Sequence, residues 1–155
     1  MNTTAITGAG TGIGRAIALA ILEERDDTFV FVGSRSTERG EKTCSELLQQ
    51  NPAWEDRLGL ATIDVSSDAS VDAAKAQIEA ACTDRSLSLF AIVNNAGVGL
   101  GNHTLEQVLQ VNTLGVRRVS ERFAPLLPLT GGRIVNITSA AGPNFVSACQ
   151  PERQT

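Results

Sequence analysis

Short apolar runs alternate with longer helical stretches along the whole of this chain of 155 residues. Runs of strand character cover 3–7, 28–33, 58–64, 88–95 and 132–138, and the stretches between them predict helices over 12–25, 36–50, 67–82 and 104–127. Parallel strands need a crossover, which a helix supplies, and such crossovers are almost always right-handed. The alternation therefore predicts an α/β fold with a doubly wound parallel sheet, built as a single domain over 1–155.

Composition narrows the partners and the compartment that we expect. The net charge is -4 and the isoelectric point is near 5.0, so neither nucleic acid nor an anionic membrane surface is an expected partner. The three cysteines have no CxxC spacing, which argues against a disulfide framework or a metal site and favours a reducing compartment. No stretch has the length and apolar character of a bilayer span or of a secretory leader, so we expect a cytoplasmic protein.

A glycine-rich loop, TGAGTGIG, follows the first predicted strand and opens the first predicted helix. Gly8, Gly12 and Gly14 remove Cβ atoms where the chain turns and where a diphosphate would approach the backbone. The helix start behind them offers free N–H groups and a partial positive charge to such an anion. A tight strand–helix turn without a ligand is the alternative, but the position of the loop at the first β–α junction favours a dinucleotide.

The Thr-Gly-x3-Gly-x-Gly spacing of this loop resembles that of the short-chain dehydrogenase/reductase family. The resemblance continues in NNAG at 94–97, in VNTLG around Asn112, in IDVSS around Asp64 and in RIVNITS, which ends at Ser139. It implies a Rossmann-type sheet in the order 3-2-1-4-5, catalytic residues Ser139 and Asn112, an adenine contact at Asp64, and Val65 as a further cofactor-binding residue. It also implies that the remaining cofactor-binding residues are Thr7, Gly8, Gly12, Ile13, Gly14, Asn94, Asn95, Ala96 and Gly97.

The residues after the second strand indicate which nicotinamide cofactor is bound. NAD sites place Asp or Glu there to accept from the ribose 2′-OH. This chain has Ser34 and Arg35 instead, with Arg39 one helical turn later. A guanidinium can bind a 2′-phosphate through two hydrogen bonds, so we predict NADP(H). The alternative for Arg35 is an ordinary surface arginine at a strand end.

The family's catalytic tyrosine and the lysine four residues after it are not found in this sequence. It contains no tyrosine, and Lys42 and Lys75 both lie upstream of Ser139. The alternative for Ser139 is a hydroxyl that only caps the local backbone, and Thr138 is the nearest other candidate for the catalytic hydroxyl. Cys149 could be proposed as a substitute proton donor, but an ordinary thiol without a catalytic role is the favoured interpretation. The stretch SACQPERQ resembles the start of an insertion found in monomeric NADPH-dependent carbonyl reductases, which predicts an insertion over 143–155, poorly ordered, with the tyrosine beyond Thr155.

The resemblance therefore predicts an oxidoreductase that reduces an aldehyde or ketone with NADPH, although the 155 residues are expected to be inactive alone. The alternative is a catalytically dead module that senses NADP(H) or partners with a relative. The parent branch implies a monomer, whereas the exposed helix argues for association, so both states stay open. Without the family's later strands, 132–138 becomes an apolar sheet edge, and Val108, Val111, Leu114 and Phe123 are expected to be partly bare.

Overall fold

The computed structural model describes residues 1–99 and 101–149 and contains a five-stranded parallel sheet in the order β3-β2-β1-β4-β5. This confirms the predicted fold class and strand order. The strands are β1 Asn2–Ile6, β2 Thr28–Ser34, β3 Leu58–Thr62, β4 Ser88–Asn94 and β5 Arg133–Asn136. The helices are α1 Gly12–Glu24, α2 Thr37–Gln50, α3 Asp68–Asp84, α4 Leu105–Asn112, α5 Leu114–Phe123 and α6 Ala141–Ala148.

Two apolar clusters cover the two faces of the sheet. Phe29 and Phe31 of β2 belong to the cluster that also contains residues of α3 and α5, whereas Val30 and Val32 belong to the cluster that contains residues of α1 and α2. Successive side chains of a strand point to opposite faces, so β2 contributes to both clusters and all seven of its residues are buried. The continuous apolar runs of the sequence are explained by this two-sided burial.

A short 3-10 helix at Pro52–Arg57 was not expected from the sequence. It carries Trp54, which is buried against the α1 and α2 side of the sheet. The Asn51 side chain accepts a hydrogen bond from the Ala53 backbone N–H at 3.1 Å and so starts the turn. The segment is too short for helical periodicity to reveal it, and proline at its start suits a helix N-terminus.

The predicted helix over 104–127 is in fact two helices. Thr113, with φ -116° and ψ -64°, separates α4 from α5, and a 3-10 turn at Ala124–Leu126 ends the segment. Asn112 and Thr113 are both weak helix formers, and the Asn112 side chain bonds outside the helix. This local weakness explains why one periodic stretch gives two elements.

Cover is uneven at the carboxyl-terminal side of the sheet. β5 is an edge strand, as expected, and all four of its residues are exposed. Phe123 is 1% exposed because it packs in the cluster shared with α3, so the expectation that it would be partly bare is wrong. Leu114, in contrast, is 36% exposed.

The segment predicted to begin an insertion, 143–155, is described only up to residue 149. Its first part belongs to α6, and residues 150–155 lie outside the described residues. The insertion and its poor order therefore stay predictions. Within 1–99 and 101–149, no helix combines the length and the apolar character that crossing a bilayer requires.

Candidate functional site

The loops that follow β1, β2, β3 and β4 meet at the carboxyl edge of the sheet and enclose a cleft of about 330 Å³. Open α/β sheets bind ligands at this edge, beside the point where the strand order reverses. In this sheet the reversal lies between β1 and β4. Ten of the residues predicted to bind a cofactor line the cleft: Gly8, Gly12, Ile13, Arg35, Arg39, Asp64, Val65, Asn95, Ala96 and Gly97.

In the glycine loop, the backbone at Gly8 and Gly14 packs closely against neighbouring residues. A Cβ atom at Gly14 would lie 2.4 Å from Asn95 Nδ2 and 2.6 Å from the Gly8 carbonyl oxygen, and one at Gly8 would lie 2.8 Å from Ala96 Cα. Gly8 also has a positive φ of 66°. A side chain at either position would displace neighbouring backbone, so the loop requires glycine here.

The start of α1 is suited to an anion. Its N-cap residue, Thr11, makes no side-chain capping hydrogen bond, and its first turn contains no acidic residue. By contrast, α2, α3 and α4 are capped by Ser36, Ser67 and Thr104, and each has an acidic residue in its first turn. α5 and α6 also begin without a side-chain cap, but of these three helices it is α1 whose first residues line the cleft and offer it free N–H groups and a partial positive charge. A phosphate-bearing ligand fits this end.

Thr7 and Asn95 join the glycine loop to the loop after β4. The Thr7 hydroxyl oxygen accepts hydrogen bonds from the backbone N–H groups of Asn95 and Ala96, each at 3.0 Å. Asn95 Nδ2 donates to the carbonyl oxygens of Thr7 at 2.9 Å and Gly8 at 3.2 Å. Thr7 is buried and lies behind the cleft wall, so its contribution here is to hold the loop in place.

Asn94 also lies behind the cleft. Its buried side-chain Nδ2 donates to Asn136 Oδ1 at 2.9 Å and to Ser120 Oγ at 3.1 Å, which joins β4 to β5 and to α5. Its Oδ1 atom is buried and has no hydrogen-bond partner within the part of the chain that the structure describes. Asn94 therefore ties the sheet together beside the site, and Gly14, which is likewise not on the cleft wall, allows the close packing beneath it.

The turn after β2 presents two arginines to the cleft. Ser34 Oγ donates to the Ser36 carbonyl oxygen at 2.8 Å, and Ser36 Oγ in turn accepts from the Arg39 backbone N–H at 3.2 Å. These bonds fix the turn and start α2, while the Arg35 and Arg39 side chains stay exposed on the cleft wall. The cleft lining contains no carboxylate from this turn.

Asp64 is the acidic residue of the cleft. Its Oδ1 accepts hydrogen bonds from the Ser66 hydroxyl at 2.6 Å and the Ser66 backbone N–H at 2.9 Å. Partial burial raises the pKa of this carboxyl, but the two Ser66 hydrogen bonds, together with the charges of Arg35 and Arg118, outweigh burial and lower the pKa below its ordinary value. Asp64 is therefore ionised at neutral pH.

Ser139 and Asn112, the two predicted catalytic residues, lie outside the cleft lining. Ser139 is exposed beyond β5, and its Oγ accepts a hydrogen bond from the Ala141 backbone N–H at 3.1 Å, which leaves its O–H able to donate. Asn112 Oδ1 accepts a hydrogen bond from the Val98 backbone N–H, and Asn112 Nδ2 donates to the Val98 carbonyl oxygen, each at 2.9 Å. The Ile137 N–H donates to the Asn94 carbonyl oxygen at 2.9 Å, so the loop leading to Ser139 leaves the sheet beside NNAG.

The structure adds cleft residues that the sequence analysis missed: Gly10, Thr11, Ile63, Val98 and Val111. Most of these are neighbours in sequence of residues that were predicted, so widening each motif by one residue would have found them. Within the described residues, no group of three His, Cys, Asp or Glu side chains could hold a metal ion. Burial, helped by Glu41, raises the pKa of the Cys44 thiol to about 11, so this thiol is protonated at neutral pH.

Comparison of the sequence with known proteins identifies relatives along most of the chain. The model of the family described as "short chain dehydrogenase" matches residues 2–150. The 3beta-hydroxysteroid dehydrogenase dhs-16 of Caenorhabditis elegans is 30% identical over 145 residues, covering 88% of this chain and 37% of that protein. The mitochondrial D-beta-hydroxybutyrate dehydrogenase of Bos taurus is 31% identical over 144 residues, covering 88% of this chain and 40% of that protein. The chain thus spans about two fifths of the length of these relatives.

Solved structures show the same fold. An alcohol dehydrogenase from the archaeon Thermococcus sibiricus, complexed with 5-hydroxy-NADP, superposes with a TM-score of 0.73 at 30% identity and covers 99% of this chain and 64% of its own. An NADPH-bound carbonyl reductase from chicken fatty liver has a TM-score of 0.73 at 24% identity, with coverage of 98% and 66%. Since the family match extends over nearly the whole sequence, this chain belongs to the short-chain dehydrogenase family, which is a family of oxidoreductases.

Proposed function

We propose that this chain holds NADP(H) for an oxidoreductase that reduces an aldehyde or ketone to an alcohol. The observation that carries the proposal is the placement of Arg35 and Arg39 on the wall of the cleft that the glycine loop also lines. A bound NADPH would supply the hydride, and the protein would supply binding, orientation and a proton route. The cytoplasmic location predicted from the cysteine content is part of the same proposal.

The preference for the 2′-phosphorylated cofactor depends on the turn after β2. Two guanidinium groups face a site where an NAD enzyme would carry a carboxylate, and a carboxylate would repel the phosphate. Among structural relatives, the archaeal alcohol dehydrogenase is described with 5-hydroxy-NADP, whereas a Brucella melitensis 3-ketoacyl-(acyl-carrier-protein) reductase of 25% identity is described with NADH. Relatives thus support a nicotinamide dinucleotide, and the two arginines support NADP(H).

The other cleft residues suit the remaining parts of the cofactor. The uncapped start of α1 would bind the diphosphate, and Asp64 would accept from the adenine amino group through Oδ2, since both Ser66 hydrogen bonds end on Oδ1. Ile13 is 65% exposed at the cleft, which is unusual for an isoleucine and suits a position that a ligand covers.

Ser139 is the proposed donor to the substrate carbonyl oxygen, and Asn112 the residue that steadies the loop after β4 beside it. Donation from Ser139 would stabilise the negative charge that develops on that oxygen. The usual proton donor, a tyrosine, is not found among residues 1–155. We therefore propose that these residues alone bind the cofactor without measurable carbonyl reduction.

Titration of the purified chain with NADPH and NADH tests the cofactor assignment. We expect saturable NADPH binding that is about tenfold or more tighter than NADH binding, because a charge-assisted contact to the 2′-phosphate contributes about 1.5–3 kcal/mol. Arg35→Asp should remove that preference. Arg117→Asp is the matched control, since Arg117 is an exposed arginine of α5 and does not line the cleft.

Unchanged discrimination between NADPH and NADH in the Arg35→Asp variant would contradict the assignment of Arg35. An equal loss in the Arg117→Asp control would show that net charge alone governs the preference. Either result would leave NADP(H) without its specific contact.

A further inference from the structure

One polar residue interrupts the buried face of α2. Gly40, Thr43 and Leu47 form the row that this helix turns toward the sheet and the glycine loop, and all three are buried. Thr43 is 2% exposed. A hydroxyl at such a position is unfavourable unless it is hydrogen-bonded, so its partner indicates what it does.

The Thr43 hydroxyl bonds to the glycine loop. Its Oγ1 donates to the Gly10 carbonyl oxygen at 2.8 Å, across 33 positions of sequence. Threonine hydroxyls inside helices commonly bond back to a carbonyl of their own helix, which stabilises nothing outside it. Thr43 instead connects α2 to a loop that belongs to a different βα unit.

This bond is the last of several hydrogen bonds that anchor the loop, which include those that Asn95 Nδ2 donates to the Thr7 and Gly8 carbonyl oxygens. The Thr7 N–H donates to Val93 of β4 at 2.9 Å, and the Ala9 N–H donates to Gly33 of β2 at 2.8 Å. The Gly10 carbonyl is then held by Thr43, after which Thr11 and Gly12 are exposed. Thr43 thus fixes the last anchored point before the free N–H groups at the start of α1.

The same contact region includes an arginine of the cleft wall. A Cβ atom at Gly10 would lie 3.3 Å from Arg39 Cγ and 3.4 Å from Arg39 Cδ, so the aliphatic part of Arg39 rests on Gly10. Thr43 is one helical turn further along α2. The hydrogen bond from Thr43 therefore sets the spacing between the loop and the helix that carries Arg39.

We propose that Thr43 is a positioning residue for cofactor binding, which acts by holding the Gly10 carbonyl and so the shape of the glycine loop. Thr43 does not line the cleft, although it lines a neighbouring pocket beside Gly10 and Arg39, and we expect it to act through the loop. This inference rests on the proposed binding of NADP(H) to the same cleft.

Thr43→Val tests it with little change in volume. Valine keeps the branched shape, but it leaves the buried Gly10 carbonyl without its donor. We expect the Kd for NADPH, measured by titration on the full chain, to rise about tenfold. Amide hydrogen exchange of residues 10–14 in the cofactor-free protein should become faster, which reports on the loop independently of binding.

Two further variants separate positioning from general stability. Thr43→Ser keeps a hydroxyl and should restore the wild-type Kd to within about threefold. Leu47→Val removes one buried methylene group from the same helix face without touching the Gly10 carbonyl, so its Kd should stay near that of wild type. If Thr43→Val does not fold, as judged by circular dichroism, Thr43→Ala removes the same donor with a better helix former.

The outcomes distinguish this inference from the function on which it rests. Wild-type binding with an unchanged Kd in Thr43→Val overturns the role of Thr43 alone, as does an equal loss in Leu47→Val or Thr43→Ser. A wild-type chain that binds no NADPH overturns the proposed function and this inference with it.

Discussion

The interior strand β2 and the edge strand β5 differ in how completely they are covered. Along β2, all seven residues are buried between two layers of helices, and the loop that follows is fixed by hydrogen bonds at the cleft. Along β5, all four residues are exposed, and Ser139 lies on an exposed loop beyond the strand. The β2 side, where we propose that the cofactor binds, is thus packed and anchored by hydrogen bonds, whereas the β5 side, where Ser139 is the proposed carbonyl donor, is exposed.

The helix starts show the same contrast between internal and external partners. Ser36, Ser67 and Thr104 satisfy the first N–H groups of their own helices, as capping residues usually do. Thr11 does not, and the first turn of α1 faces the cleft. α5 and α6 also lack a side-chain cap, but their first residues do not line the cleft, so it is the uncapped start of α1 that indicates where a ligand is expected.

Placing the same charge on β2 and on β5 gives the largest expected effect. Val32→Lys puts an ammonium group where a side chain with 0% exposure now packs, and should lower the free energy of unfolding by about 4 kcal/mol or more. Val135→Lys alters a β5 side chain that is 43% exposed and should change the free energy of unfolding by less than about 1 kcal/mol.

Chemical denaturation followed by circular dichroism measures both changes. The lysine on β5 should also reduce concentration-dependent association, measured by sedimentation, because charged residues discourage edge-to-edge pairing. Equal destabilisation by the two substitutions would show that β5 is covered in solution and would break the contrast.

A methyl group in the glycine loop gives the next largest effect. Gly14→Ala forces a Cβ atom to within 2.6 Å of the Gly8 carbonyl, and overpacking of this kind costs about 1–3 kcal/mol. The displaced backbone belongs to the glycine loop that we propose binds the diphosphate, so we expect NADPH affinity to fall by up to about a hundredfold in calorimetric titration.

Gly142→Ala is the matched control for that substitution, because a Cβ atom at Gly142 meets nothing within 4 Å. Its NADPH affinity should equal that of wild type. Retention of wild-type affinity by Gly14→Ala would mean that the loop does not form the binding surface.

The smallest expected effect concerns the Asp64 carboxyl. Ser66→Ala removes one of its two hydrogen bonds and should raise its pKa toward the ordinary value, as measured by NMR titration of the side-chain carbon.

The same shift links Asp64 to the stability of the fold. In the unfolded chain the pKa of this carboxyl is about 3.9. Because the folded value is lower, ionised Asp64 stabilises the fold above about pH 4, and this contribution is lost as the pH falls through the folded value. Ser66→Ala should therefore lose less stability on acidification below pH 4 than wild type.

Ser70→Ala is the control for this shift, since Ser70 Oγ accepts from the Asp64 backbone N–H and does not touch the carboxyl. The same Asp64 pKa in wild type and in Ser66→Ala would contradict the stated cause.

The sequence predicted the features that depend on periodicity and on glycine. Five apolar runs correspond to five strands within a few residues, and in β2 and β4 burial on both faces explains the uninterrupted apolar signal. The glycine loop was found because its positions exclude side chains. The break at Thr113 and the turn that buries Trp54 were missed, since each depends on local contacts shorter than a helical period.

The site was predicted less completely than the fold. Arg35, Arg39 and Asp64 were identified from their positions after strands, and all three line the cleft. Thr43 could not be identified, because nothing in its helical context shows that its hydroxyl bonds to Gly10, 33 residues earlier in the sequence. Long-range hydrogen bonds of this kind require the folded coordinates.

Hydrogen exchange with and without NADPH measures the contrast between the β1–β2 side of the site and β5 most directly. The account predicts that NADPH slows exchange in the glycine loop over 8–14 and in the turn over 34–39, and leaves β5 and Ser139 unchanged. Protection confined to β5 would contradict this prediction. So would an unprotected glycine loop in folded protein at a saturating NADPH concentration.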